Sequence, residues 1–188
     1  MRFHLGFHES PVGSLPLVWD DEEWLRLLYF DGDEGRIALE MQRRYGPCTL
    51  VRRDLPDALA RPLDLYFAGD LHAVDAIAVA PSGTPFQLEV WAALRAIPPG
   101  TTMSYGGLAM KLGRPGASRA VGLANGSNPI ALVVPCHRVI GANGSLTGFG
   151  GGLARKQWLL DHERRHSGGE PQLSLFAEAG RPLPIAAG

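Results

Sequence analysis

Long apolar runs are missing from this sequence of 188 residues: no stretch reaches the eighteen or so needed to span a bilayer. The first ten residues carry Arg2, His4, His8 and Glu9 where a secretory leader would have an apolar segment. A membrane anchor is therefore not expected, and the chain reads as cytoplasmic. Cysteine is scarce too, with only Cys48 and Cys136. In a reducing compartment two cysteines make no framework, so each is judged alone. There is no Cys-x-x-Cys pair, and although His4, His8 and Cys48 lie in one half, no structural zinc site is recognisable. Neither a metal nor a cofactor is expected.

Net charge is also nearly absent, at -1, but the balance hides an asymmetry. Residues 1–83 hold 8 Arg against 14 Asp and Glu, whereas residues 84–166 hold 9 Lys and Arg against 3 Asp and Glu. The second segment is where a polyanion would bind, unless its basic side chains merely solvate a face. What the chain does possess is 45% hydrophobic residues, enough to bury a core in one ordinary domain or two small ones.

Leu15–Trp19 and Trp24–Phe30, separated from later elements by Asp31-Gly32-Asp33-Glu34-Gly35, fit strands joined by turns. The mixed pattern of Ile37–Tyr45 admits a helix, and Asp54–Leu71 suits short helices beside the sheet. No motif in this half attaches to chemistry. Thr84-Pro85 opens a helix with Phe86, Val90, Trp91 and Leu94 on one stripe, closed by Ile97-Pro98-Pro99-Gly100. A second helix runs from about Ser104 to Leu112, and a third starts at Pro115 and closes at Asn125-Gly126. Joined by Gly113-Arg114-Pro115, the two read as a helix-turn-helix. Ile130–Val134 is a continuous apolar run consistent with a buried strand that delivers Cys136 into the interior. A glycine-rich loop, 141–152, precedes a last helix with Leu153, Trp158, Leu159 and Leu160 apolar, Arg155 and Lys156 outside, and an end near His162-Glu163. The expected organisation is an α/β domain over 1–83, a mainly α helix-turn-helix domain over 84–166, and a flexible tail over 167–188.

A thiol is a good nucleophile only as thiolate, so a reactive Cys136 needs a base or a positive field. His137 is adjacent, and Glu163 is a candidate to orient it. On an extended strand neighbouring side chains face opposite ways, so His137 serves Cys136 only if the backbone bends or a water bridges them; Pro135 supports a bend. The competing reading is a small buried thiol beside a structural histidine.

The run Pro135-Cys136-His137-Arg138-Val139-Ile140-Gly141 resembles the active-site signature of the O6-alkylguanine-DNA alkyltransferases. The similarity continues in order through Ile97-Pro98-Pro99-Gly100, Ser104-Tyr105-Gly106, Arg119-Ala120-Val121-Gly122, Ala124–Pro129, Gly148-Phe149 and Lys156–Leu160. The resemblance implies a ribonuclease H-like first domain, a winged-helix-like second one, and irreversible transfer of an alkyl group from the O6 oxygen of guanine in double-stranded DNA. Cys136 would be the acceptor, His137 its base through a water, and Glu163 the carboxylate that polarises His137. Because a thioether resists hydrolysis, the protein would act once. Tyr105 matches a tyrosine that helps rotate the nucleotide and protonates the departing guanine, and Asn128 one that braces the active-site loop. Val139, Phe149, Gly150 and Gly151 would border the guanine pocket. The family's tyrosine and occasional serine are here Phe149 and Gly150, so a side-chain hydrogen bond to the lesion is missing.

A stacked base cannot reach a buried thiol, so the lesion must flip out. The resemblance makes Arg119 the side chain that fills the gap, and Ala120 and Gly122 let the third helix lie against the minor groove. Arg114 is a further candidate for DNA contact, with Lys111 and Arg95 behind it. Gln172, Leu173, Leu175 and Phe176, within Gln172-Leu173-Ser174-Leu175-Phe176, are similar to peptides that dock on the bacterial sliding clamp. The protein is expected to be a monomer. Three rival readings stand beside this one: a non-catalytic alkylguanine-binding protein that recruits other repair factors, a DNA-binding methylation sensor, and a cysteine hydrolase.

Overall fold

The computed structural model describes residues 1–168. The chain starts with an antiparallel hairpin of β1 (Arg2–Ser10) and β2 (Gly13–Trp19), to which β3 (Leu25–Leu28) adds on the far side of β2. After α1 (Glu34–Tyr45), β4 (Thr49–Arg52) returns parallel to β1, giving the order β3-β2-β1-β4. The crossover through a helix is what a parallel pairing requires. One face of the sheet buries Phe3, Leu5, Val18 and Leu27 against Ile37 and Met41 of α1. The other face, with Leu15, Leu17 and Leu28, joins the main core, next to α2 (Asp57–Ala68).

α3 (Pro85–Arg95) carries the cap its sequence announces: Thr84 accepts from the Gln87 amide while the Gln87 side chain returns the bond. Val90, Trp91 and Leu94 are its buried stripe. The two-residue β5 (Met103–Ser104) leads into α4 (Tyr105–Lys111), capped by the Ser104 hydroxyl. Gly113, at φ 67, takes the left-handed turn. The next helix, α5 (Ser118–Gly126), starts three residues later than Pro115, because 115–117 form turns instead. Val139–Ile140 forms β6, parallel to β5, and α6 (Leu153–His166) completes the described chain. No described helix is long and apolar enough to cross a membrane.

Three expectations need correction. Residues 130–134 are buried but are not a strand: Ile130 makes a single bridge to Leu28, then the chain coils, with Val134 N–H donating to Ile130 O and Leu132 at φ 70. Lys156 is not outside but fully buried. β1 and β4 also form, where the sequence pattern announces no strand. The two halves share one continuous core that runs from Val12 and Leu28 through Tyr66 to Val121, Cys136 and Leu159.

Candidate active site

Cys136 opens a single 3-10 turn, Cys136–Arg138, entered from Pro135 at φ -80 and ψ 64. The bend required for Cys136 and His137 to cooperate is thus present, produced by the proline and the turn rather than by an extended strand. Asn128 holds the approach: its amide nitrogen donates to Val134 O at 2.7 Å, and its amide oxygen accepts from Ile130 N at 3.0 Å. Both ends of the coiled 130–134 segment therefore hang on one side chain. Ile130–Val134 coils because the Asn128 amide offers its backbone a partner other than a sheet.

The buried imidazole of His137 places Nε2 2.8 Å from Glu163 Oε1. A carboxylate can only accept, so Nε2 carries the hydrogen, and in the neutral ring Nδ1 holds the lone pair. Nδ1 is buried and makes no hydrogen bond with the described residues. Glu163, also buried, accepts on Oε1 from the Tyr66 hydroxyl at 2.9 Å and from Arg138 Nη2 at 2.8 Å. Its Oε2 accepts from Arg138 Nε at 2.9 Å and from the Gly100 amide at 3.1 Å. Arg138 Nη1 donates to Ile97 O at 2.6 Å, so this buried guanidinium is satisfied as well.

These contacts fix the protonation states. Burial alone would push the Glu163 carboxyl up, but His137 and the permanent charge of Arg138 outweigh it and hold the group well below the usual carboxylate range. Burial lowers the His137 pKa in spite of the opposing pull of Glu163, which keeps the ring neutral at neutral pH. Burial also raises the Cys136 thiol, offset in part by the Asn128 amide and the Lys156 charge. The resting site is a neutral thiol, a neutral imidazole and a carboxylate balanced by arginine. Lys156 Nζ donates to Val139 O at 2.6 Å and Thr147 O at 2.9 Å. Those two carbonyls are why it is buried: they solvate the ammonium that the helical pattern alone would send to water.

Cys136 opens onto a cleft of about 890 Å³. Asn128, Phe149, Gly150 and Gly151 line it together with Tyr29, Phe30, Arg36, Leu39 and Arg43 from the first half. Val139 is not among the lining residues; it lies beneath, with its carbonyl on Lys156. Phe30 packs on Phe149 with centroids 5.4 Å apart, and a Cβ at Gly151 would come within 2.6 Å of the Phe30 ring. Arg44 ties α1 to the cleft by donating to Ser82 O and Ser127 O. The contribution of the first half, Tyr66 included, escaped the sequence reading because none of these residues sits in a motif.

Of the residues expected to meet DNA, Arg119 and Ala120 are exposed on α5, and Arg119 makes no hydrogen bond or ion pair among the described residues. Tyr105 receives a hydrogen bond from Thr147 Oγ1 at 3.1 Å, and its ring lies about 3.7 Å from where a Cβ at Gly122 would sit. Arg114 is engaged within the protein, 2.8 Å from Glu89 and stacked over Phe86. Arg95 donates to Asp75 O, whereas Lys111 is exposed. His4 and His8 each hydrogen-bond their own aspartate, Asp21 and Asp64. Gln172, Leu173, Leu175 and Phe176 lie outside the described residues.

Residues 85–165 match the family model described as the DNA binding domain of 6-O-methylguanine DNA methyltransferase. A methylated-DNA–protein-cysteine methyltransferase of Salmonella typhimurium is 51% identical over 156 residues, covering 82% of this chain and 91% of the relative. One from Mycobacterium bovis is 55% identical over 171 residues, covering 89% and 95%. The crystal structure of Mycobacterium tuberculosis OGT in complex with DNA superposes with a TM-score of 0.70 at 40% identity, covering 88% of this chain and 94% of that one.

Proposed function

Since the chain belongs to the methylated-DNA–protein-cysteine methyltransferase family, and with it to direct-reversal DNA repair, we propose that Cys136 is the residue that takes the alkyl group from O6-alkylguanine. The observation that carries this is a His137 ring whose Nε2–H is fixed by Glu163 and whose buried Nδ1 has no partner among the described residues. The thiol proton passes through an intervening water to Nδ1. The sulfur then attacks the alkyl carbon, and the carbon–oxygen bond breaks with its electron pair left on the purine. Tyr105 supplies the proton that makes the departing base neutral guanine. The Cys136 thioether has no route back, so each chain reacts once. A burial-raised thiol suits this scheme: the nucleophile is charged only when His137 and Lys156 are there to stabilise it.

The reading extends to the DNA. Arg119 fills the vacated stack, α5 rests on the minor groove through Ala120 and Gly122, and the flipped base enters the cleft onto which Cys136 opens. The first unit, 1–83, is read as ribonuclease H-like, supported by the three-strand meander with β4 parallel to β1. The second, 84–166, is read as winged-helix-like, supported by α4 and α5 packed with α3 and the β5–β6 pair alongside. The protein acts as a cytoplasmic monomer whose 172–176 peptide docks on the sliding clamp; Leu175→Ala with Phe176→Ala should abolish clamp binding and leave transfer intact.

The test of the acceptor is a titration with radiolabelled O6-methylguanine duplex. Label should plateau at one methyl per chain and vanish in Cys136→Ser. Continued turnover would indicate a hydrolase, and tight binding without label a recruiting protein.

A further inference from the structure

We propose that Tyr66 is a positioning residue for alkyl transfer: its hydroxyl, reaching from α2, holds the Glu163 carboxylate against His137 and moderates the basicity of that imidazole. The inference rests on the acceptor reading of Cys136 and adds to it a residue from the half of the chain that carries no motif.

Tyr66 is wholly buried and grips two successive residues of α6. Its hydroxyl donates to Glu163 Oε1 at 2.9 Å, and its backbone carbonyl accepts from His162 Nε2 at 2.8 Å. The ring packs edge-on to Phe67 at 5.3 Å, a contact that phenylalanine would make equally well. What the hydroxyl adds is the bond to Glu163, which offsets the cost of burying a polar group there. Oε1 is also the oxygen that accepts from His137 Nε2 and from Arg138 Nη2 and Nε, so three residues share its negative charge. Burial and the Glu163 charge push the Tyr66 hydroxyl well above its ordinary range, so it remains a donor throughout the working pH range. Removing it concentrates charge on the His137 bond and makes the imidazole more basic.

Several groups face the His137–Glu163 pair. Cys136 and Arg138 come from the 3-10 turn, Lys156 from α6, the Gly100 amide from the turn after α3, and Tyr66 from α2. Of these side chains, Tyr66 is the one whose hydrogen bond can be deleted without removing a charge or the nucleophile. That makes it a clean handle on the pair.

The experiment is single-turnover transfer across pH, with O6-methylguanine duplex and with free O6-benzylguanine. Tyr66→Phe should slow both reactions on the order of tenfold, the loss of one hydrogen bond to a charged group. It should also move the acid limb of the rate profile to higher pH, because a more basic His137 is protonated earlier. Ring-fluorinated tyrosine at position 66, a stronger donor of the same shape, should move the limb the other way. Trp158→Leu loosens the same α2–α6 seam, where Trp158 packs on Phe67 with ring centroids 6.0 Å apart, without touching Glu163. It should lower Tm and leave the limb in place. An unmoved limb in both Tyr66 variants, or an equal shift in Trp158→Leu, would overturn the proposal. A wild type that leaves Cys136 unalkylated would overturn the acceptor reading and this inference together.

Discussion

The two halves of the molecule contribute to the same site in different ways. Residues 84–166 supply the proposed acceptor Cys136, the imidazole, the carboxylate and its arginine, grouped in or near recognisable segments. Residues 1–83 are acidic overall, yet they line the cleft with Phe30, Arg36, Leu39 and Arg43 and send Tyr66 to the carboxylate. Net charge of a segment therefore says little about the charge of the one face that matters. On the proposed reading the comparison also separates two kinds of function: the second half would carry the chemistry, and the first would shape what enters and how the base behaves.

Substitutions can break that division or sharpen it, and the largest effect belongs to the second half. Glu163→Gln leaves Arg138 as a buried, unpaired cation and should cost about 3–5 kcal/mol of stability in urea unfolding, with transfer nearly lost. Next is Phe30→Ala in the first half, which should cost about 3 kcal/mol and widen the cleft. Its diagnostic readout is a rise in the rate of benzyl over methyl transfer; an unchanged ratio would deny the first half a part in selectivity. Arg119→Ala should weaken duplex binding and flatten its salt dependence while leaving Tm and free O6-benzylguanine transfer unaltered. Smallest is Cys48→Ser, a half-buried thiol outside the cleft, expected to shift stability by less than about 1 kcal/mol and transfer not at all.

Acid should unfold the protein in two stages that distinguish the buried groups. His137 and His162 have pKa values lowered from 6.5 by burial, so below that pH the unfolded chain takes up protons the folded one refuses, and stability falls. Glu163 is depressed below its ordinary 4.5, so its contribution is complete above that value and is lost as the pH drops through it. Urea midpoints measured from pH 7 to pH 3 should decline in both windows, and Glu163→Gln should shrink the lower one, to which Asp21 also contributes.

Legibility in the sequence followed the range of the interaction. α3 and α4 could be read because their caps are local: Thr84 with Gln87, and the Ser104 hydroxyl. Cys136, His137 and Glu163 could be picked out because the resemblance covers them, and the structure places His137 on Glu163 as expected. The 130–134 run misled because apolarity reports burial and not backbone shape; the Asn128 amide decided the shape. Lys156 misled for the converse reason, since helical position predicts exposure unless distant carbonyls intervene. Tyr66 was invisible because its partner lies 97 residues away. No local pattern encodes such a contact.

The central claim is that a single sulfur, at position 136, ends up carrying the alkyl group. Tandem mass spectrometry of the protein after incubation with O6-methylguanine duplex tests it most directly. The account predicts one methyl on the peptide containing Cys136 and a bare Cys48. A methyl on Cys48, or unmodified protein alongside repaired DNA, would contradict it.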